Sequence, residues 1–259
     1  MFTKTRFDSL DLPSHLMDAI TAMGWECLTE VQRDTIPLAR SGRDVIGQAR
    51  TGSGKTAAFG IPAIQQVDLD NKNVQVIILC PTRELCVQIC KDLESYSKYV
   101  DGIKLLAIYG GVNIQNQIKS LKKGVQIIIG TPGRTKDLLN RKLLKLELVS
   151  RVVLDEADEM LSMGFKDELD FILEKTSEEK QTMLFSATIS KEVRNIAKRY
   201  MRVAKEISVS RINSSAKNIQ HHIYDVSSRN KYEALKRIAD FNPQIIRGTH
   251  IHVHNHPFL

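Results

Sequence analysis

The sequence predicts an α/β fold built on a mainly parallel sheet, and two observations carry that expectation. Six short apolar runs recur along the chain: "DVIGQA" (44–49), "VQVIILC" (74–80), "IKLLAIY" (103–109), "VQIIIG" (125–130), "RVVLD" (151–155) and "QTMLFSA" (181–187). Each is almost continuously apolar, as a strand buried on both faces must be. Between them lie segments such as "RELCVQICKDLESY", whose apolar residues recur at the three- and four-residue spacing of an amphipathic helix. Strand and helix in alternation give a parallel sheet with helices on both faces. In such sheets ligands sit beyond the carboxyl ends of the strands.

Taken in order, these elements predict one domain over residues 1–208. A polar, basic linker follows over 209–217, and then the start of a second lobe over 218–241. That start comprises a strand, "IQHHIYDV", and a helix, "RNKYEALKRIADF". A strand and one helix bury too little to fold alone, so this stub is expected to move or to pack on a neighbour. From 242 to 259 the pattern changes to "NPQIIRGTHIHVHNHPFL", with His250, His252, His254 and His256 at alternate positions. An unstructured end is the expectation for it, with adventitious Zn²⁺ or Ni²⁺ binding as the other reading. The abrupt loss of pattern inside a helix–strand unit suggests a reading frame interrupted after Phe241.

Composition narrows the class. With 42% hydrophobic and 26% charged residues, the 259-residue chain reads as an ordinary globular protein. No apolar run approaches the roughly 20 residues that span a bilayer, and the N-terminus lacks the apolar core of a secretory signal. A cytoplasmic protein with no membrane association is expected. Cys27, Cys80, Cys86 and Cys90 suggest buried thiols rather than a disulfide framework. The net charge of +7 is unevenly placed: residues 1–188 hold 24 basic and 25 acidic side chains, residues 189–259 hold 13 and 5. Any nucleic-acid site in the first domain must therefore rest on local groups rather than on bulk charge.

The chemistry begins at "ARTGSGKT", which follows a predicted strand and opens a predicted helix. Ala49, small and at the strand end, replaces the first glycine of the phosphate-loop pattern G-x-x-x-x-G-K-[ST]. Arg50, Thr51, Gly52, Ser53 and Gly54 form the loop, whose backbone N–H groups can turn inward on an anion. Lys55 reaches β- and γ-phosphates, and the Thr56 hydroxyl is placed for Mg²⁺. The helix N-terminus adds a field favourable to negative charge. In "VVLDEAD" (152–158) an apolar strand delivers Asp155 to the same edge as a second Mg²⁺ ligand. Glu156, next along, is positioned to orient or deprotonate a water.

Together with "PTRELCVQ" (81–88), the doublet Gly110–Gly111, "TPGR" (131–134), "DEAD" (155–158) and "SAT" (186–188), these segments follow the order and spacing of DEAD-box RNA helicases. "GWECLTEVQ" (24–32) resembles that family's adenine-reading Q motif, with Trp25 where Phe or Tyr is usual and Leu28 where Pro is usual. The resemblance covers roughly residues 5–240 and implies a RecA-like P-loop domain plus an incomplete second-lobe stub. It implies ATP and Mg²⁺ as cofactors, Gln32 as the adenine reader, and Phe7 and Trp25 as an apolar wall for the base. Pro81, Thr82, Arg83, Gly110 and Gly111 become RNA-facing, as do Thr131, Pro132, Gly133 and Arg134. Contacts of that type hold backbone and are sequence-tolerant. Ser186 and Thr188 are implied to bond Asp158, linking the nucleotide site to RNA.

The function implied is ATP-dependent unwinding of short RNA duplexes, with protein cofactors as further partners. No "ARGxD" or "HRxGRxxR" string supplies the second-lobe arginines, groups worth roughly 10³ to 10⁵ in rate. Little hydrolysis by this chain alone is therefore expected. Two other readings stand beside it: a P-loop ATPase acting on DNA or protein, and a non-catalytic nucleotide- or RNA-binding fragment.

Overall fold

The computed structural model describes residues 2–209, 224 and 226–241. The chain divides into two units, residues 1–212 and 213–259. The first unit begins β1 (Phe2–Arg6), α1 (Ser14–Ala22), β2 (Cys27–Thr29), α2 (Glu30–Arg40), β3 (Val45–Gln48) and α3 (Lys55–Gln65). It continues β4 (Val76–Leu79), α4 (Arg83–Tyr96), β5 (Leu105–Ile108), α5 (Ile114–Lys122), β6 (Ile127–Gly130) and α6 (Pro132–Asn140). It closes β7 (Arg151–Leu154), α7 (Ala157–Ser162), α8 (Lys166–Leu173), β8 (Gln181–Ser186), α9 (Lys191–Tyr200) and β9 (Lys205–Ser208). In the second unit the described helix is α10 (Lys231–Phe241), where the sequence predicts one. The expected linker beyond Val209, the expected strand apart from Tyr224 and Val226, and the histidine-bearing tail lie outside the described residues.

One seven-stranded sheet runs β5-β6-β4-β7-β8-β3-β9, and every neighbouring pair in it is parallel. All six apolar runs become strands of this sheet. The alternation hidden inside each run explains why it is apolar throughout. In β4, Val76 and Ile78 enter one core cluster while Ile77 and Leu79 enter the other. In β7, Val153 faces the first cluster while Val152 and Leu154 face the second. Helices α1 to α4 contribute to the first cluster, and α6 to α9 to the second, so both faces of the sheet are dry. A fully buried Phe or Leu on such a face contributes about 1.5–3 kcal/mol.

Two features were not anticipated. Strand β9 presents only Ile207 to the core and is otherwise exposed, so it carries no apolar run. The small antiparallel pair β1–β2 is likewise half exposed on β1. The six long runs place the loops that matter at one edge. Thr82 caps α4 through its Oγ1, which accepts from Leu85 N at 3.2 Å, and Pro132 opens α6 at its first turn. Both helices therefore start where β4 and β6 end, as "PTRE" and "TPGR" require.

Candidate functional site

Strand β8 lies between β7 and β3, so the segments after β3 and β7 flank the segment after β8. Two hydrogen bonds join them: Ala49 N donates to Ser186 O at 3.0 Å, and Gln48 Nε2 donates to Ala187 O at 3.2 Å. Ala49 is buried and is not among the positive-φ residues, so the first pattern glycine is dispensable here. Gly54 is not. Its φ is +92°, and a Cβ on it would stand 2.6 Å from Gln32 Nε2 and 2.9 Å from Thr29 Oγ1. Only a residue without a side chain passes there.

Helix α3 starts at Lys55 and aims it across β8 toward the end of β7. Lys55 Nζ lies 3.5 Å from Asp155 Oδ1, with both side chains buried (7% and 4% exposed). Burial raises the Asp155 carboxyl above its usual range, and the neighbouring Glu156 adds to this, while Lys55 opposes it. Glu156 sits in the left-handed region at φ 53°, a conformation costly for a residue with a side chain. Its Oε1 accepts from Thr51 Oγ1 at 3.2 Å, which ties the turn after β7 to the glycine loop. Ser53 Oγ, in the same loop, is buried without a hydrogen-bond partner. A buried orphan hydroxyl, a left-handed glycine loop at a helix start, and a buried Lys–Asp pair fit a polyphosphate with a divalent cation.

Gln32 is 4% exposed and its carboxamide is engaged within the protein. Oε1 accepts from Thr29 N at 2.9 Å and Nε2 donates to Gly54 O at 3.2 Å, while Thr29 Oγ1 accepts from Gln32 N. The result is a capping box on α2 whose free amide hydrogen reaches the glycine loop. Phe7 is buried and stacks on half-buried Trp25, with ring centroids 6.0 Å apart and 26° between planes. Trp25 in turn tilts against Tyr96 of α4 at 5.6 Å. Phe7 and Trp25 also line a 370 Å³ cavity with Arg6, Asp8, Met17 and Glu26. Trp25 thus has one side on the core and another on a cavity.

Asp158 closes the link to the segment after β8. Its Oδ2 accepts from Thr188 N at 2.9 Å and from Thr188 Oγ1 at 2.8 Å, and its backbone N donates to Ser186 Oγ at 3.3 Å. Burial alone would raise this carboxyl, but the Ser186 and Thr188 hydrogen bonds outweigh it and hold it below its usual range.

The other half of the same edge is formed by β5, β6 and β4. Exposed Arg83 lies over the Tyr109 ring at 5.1 Å, and a Cβ built on Gly111 would be 3.6 Å from the Arg83 Nη1. Arg134 Nη1 donates to Gln117 Oε1 at 3.3 Å. Gly110 and Gly133 have open space at the Cβ position, Thr131 precedes α6 without a side-chain cap, and Pro81 is buried behind Thr82. Gln117 escaped the sequence reading; its signal is a polar residue on an apolar helical stripe.

A parallel sheet with this glycine loop and a buried lysine facing a strand-end aspartate defines a RecA-like P-loop protein. The DEAD/DEAH box helicase family model matches residues 29–196, and the chain belongs to that family. It is 44% identical over 238 residues to the ATP-dependent RNA helicase CshA of Listeria monocytogenes, covering 91% of this chain and 45% of that protein. It is 45% identical over 234 residues to the DEAD-box ATP-dependent RNA helicase CshA of Bacillus subtilis, covering 90% and 47%. The chain thus spans about half the length of these curated relatives. Among solved structures, a DEAD box protein from Methanococcus jannaschii is similar at TM-score 0.77 and 40% identity, covering 92% of this chain and 64% of that one. A hypothetical ATP-dependent RNA helicase from Sulfolobus tokodaii is similar at TM-score 0.70 and 38% identity, covering 76% and 57%. No helix among the described residues is long and apolar enough to cross a membrane.

Proposed function

We propose that this chain is the ATP- and RNA-binding first lobe of a cytoplasmic ATP-dependent RNA helicase that opens short duplexes without sequence preference. The observation that carries it is the convergence of Lys55 and Asp155, 3.5 Å apart and buried at one sheet edge. In this reading the loop from Ala49 to Gly54 cradles phosphates with its N–H groups, and Lys55 binds the β- and γ-phosphates. Thr56 and Asp155 hold Mg²⁺, which when bound neutralises charge on the phosphate oxygens. Glu156 orients a water and takes its proton. Gln32 reads the adenine edge with the amide hydrogen and lone pair its protein bonds leave spare. Phe7 and Trp25 wall the base. Pro81, Thr82, Arg83, Gly110, Gly111, Thr131, Pro132, Gly133 and Arg134 hold RNA backbone. Asp158, Ser186 and Thr188 couple the two halves.

For these 259 residues taken alone, the proposal is binding with little turnover, because no "ARGxD" or "HRxGRxxR" string occurs in them. The test is equilibrium titration with a fluorescent adenine nucleotide, with and without Mg²⁺ and single-stranded RNA. Mg²⁺-dependent binding that Lys55→Ala abolishes is expected. Equal affinity for guanine and adenine nucleotides would remove Gln32 as base reader, and RNA-stimulated phosphate release at a robust rate would refute the binding-only description.

A further inference from the structure

Helix α5 carries an apolar stripe at Ile114, Ile118 and Leu121, packed against the second core cluster. Gln117 falls on that stripe and is 5% exposed. Burying a carboxamide is unfavourable unless both of its ends are hydrogen-bonded, and here both are. Nε2 donates to Tyr109 O at 3.1 Å, and Oε1 accepts from Arg134 Nη1 at 3.3 Å. The other nitrogen of the fork, Arg134 Nη2, donates to Val112 O at 3.5 Å. The turn from Tyr109 to Val112, with Gly111 at φ +78°, is therefore held between two guanidinium groups: Arg83 over the Tyr109 ring and Arg134 bonded to Gln117.

Charge makes the choice of residue meaningful. Neither arginine has a carboxylate within ion-pair distance among the described residues. Gln117 orients Arg134 without cancelling it, which a glutamate in its place would do. A flexible arginine gives up side-chain freedom when it grips an anion, and a group that holds it beforehand removes part of that cost.

We propose that Gln117 is a positioning residue, locking Arg134 to the Tyr109–Val112 turn so that the two guanidinium groups meet the phosphates of an RNA strand as one preset platform. This rests on the RNA reading above and adds to it the residue that organises the site. Gln117 itself need not touch RNA.

The experiment is anisotropy titration of the full chain with a fluorescent single-stranded RNA across a range of KCl concentrations. Gln117→Glu pairs with and neutralises Arg134, so affinity should fall about tenfold, as when one charge-assisted contact is lost. The dependence of log affinity on log salt should flatten by about 0.7, one phosphate contact on a single strand. Gln117→Met keeps the charge and loses the orientation, so affinity should fall with the salt slope unchanged. Arg134→Lys, which leaves the buried carboxamide in place, should weaken binding with the salt slope also kept. Nucleotide affinity, measured on the two Gln117 variants, should match the parent and so certify folding. Parent-like RNA affinity in both Gln117 variants would overturn this assignment alone, as would the same salt slope in Gln117→Glu and Gln117→Met. No RNA binding by the unaltered chain would overturn the RNA reading together with it.

Discussion

Lys55, at the start of the helix after β3, and Asp155, just past the end of β7, follow strands that do not touch, yet their charged atoms lie 3.5 Å apart across the end of β8. Neither side chain is solvated, so each is the other's compensation for lost water. Removing one partner strands the other. Lys55→Ala is expected to lose triphosphate affinity by a hundredfold or more and, by leaving Asp155 unpaired, to lower stability by about 3 kcal/mol. The Lys55→Ala, Asp155→Asn double variant should recover much of that stability and none of the binding. Denaturant melts alongside nucleotide titration check both halves.

The raised Asp155 carboxyl gives a pH signature. Its folded value lies above the ordinary carboxylate value of about 3.9. A proton therefore competes for this oxygen at a higher pH than it would on an exposed aspartate. Mg²⁺-dependent nucleotide affinity should fall on acidification at a higher pH than an exposed aspartate would dictate. For stability the sign is opposite: a raised acid favours the fold below the unfolded value, and that contribution is lost as pH rises through the folded one. Calorimetric titration with and without Mg²⁺ as the pH is lowered should show the decline only in the metal-containing series.

Asp158 behaves oppositely. Its carboxyl is held below the usual range by bonds from Thr188 and Ser186. A depressed acid contributes stability above its unfolded value of about 3.9, and that contribution is lost as pH falls through the lower folded value. Asp158→Asn should therefore be less stable than the parent at pH 7 by about 1–2 kcal/mol, the range for hydrogen bonds to a charged group. The difference should shrink on acidification below about pH 4. Urea melts at pH 7 and at low pH would detect it, and a constant difference would contradict the assigned cause.

Parts of the fold and of the site differ in how much of them could be read from residues alone. The six runs were legible because burial on both sheet faces disfavours polar positions that lack hydrogen-bond partners, so the strands declare themselves. The glycine loop was legible because a left-handed helix entry and a lysine tip demand particular residue types. Strand β9 was not, since "KEIS" buries one side chain and pairs through backbone, which any residue supplies. Nor was the contact between Thr51 and Glu156, residues far apart in sequence whose meeting depends on the order of β3 and β7 in the sheet. Gln32 was visible as a polar residue of the expected type. Its second bond, to Gly54 O, requires knowing that α2 starts beside α3.

That second bond makes a separable prediction. Gln32→Met removes an acceptor for Thr29 N and the donor to Gly54 O together. Loss of the cap contact should cost about 1 kcal/mol of stability. Loosening of the glycine loop should weaken binding of inorganic triphosphate, a ligand with no base to read. If Gln32 acted on the adenine ring alone, Gln32→Met would weaken adenine nucleotides and leave triphosphate untouched. Competition of both ligands against one fluorescent nucleotide separates these outcomes.

Arg151 supplies the last test, at the opposite sheet edge. It is 4% exposed, and burial lowers its guanidinium to about 10. Its fork donates to Pro62 O at 3.0 Å, to Gln66 Oε1 and to Gln181 Oε1, all of them neutral. Gln181 Nε2 continues the network to Ala39 O at 3.0 Å and Arg43 O at 2.6 Å. The far ends of α2 and α3, whose near ends carry Gln32 and Lys55, are thereby fastened to β7 and β8. Arg151→Met relieves a buried charge, which is favourable, but leaves three acceptors without their donor, at about 1–3 kcal/mol for each that water cannot reach. The second effect outweighs the first, so a loss of about 2–4 kcal/mol is expected. Arg151→Lys keeps the charge and a single donor group, and should lose less than the methionine variant. Equal losses in the two would mean that packing of the long side chain, rather than its hydrogen bonds, holds these helices down.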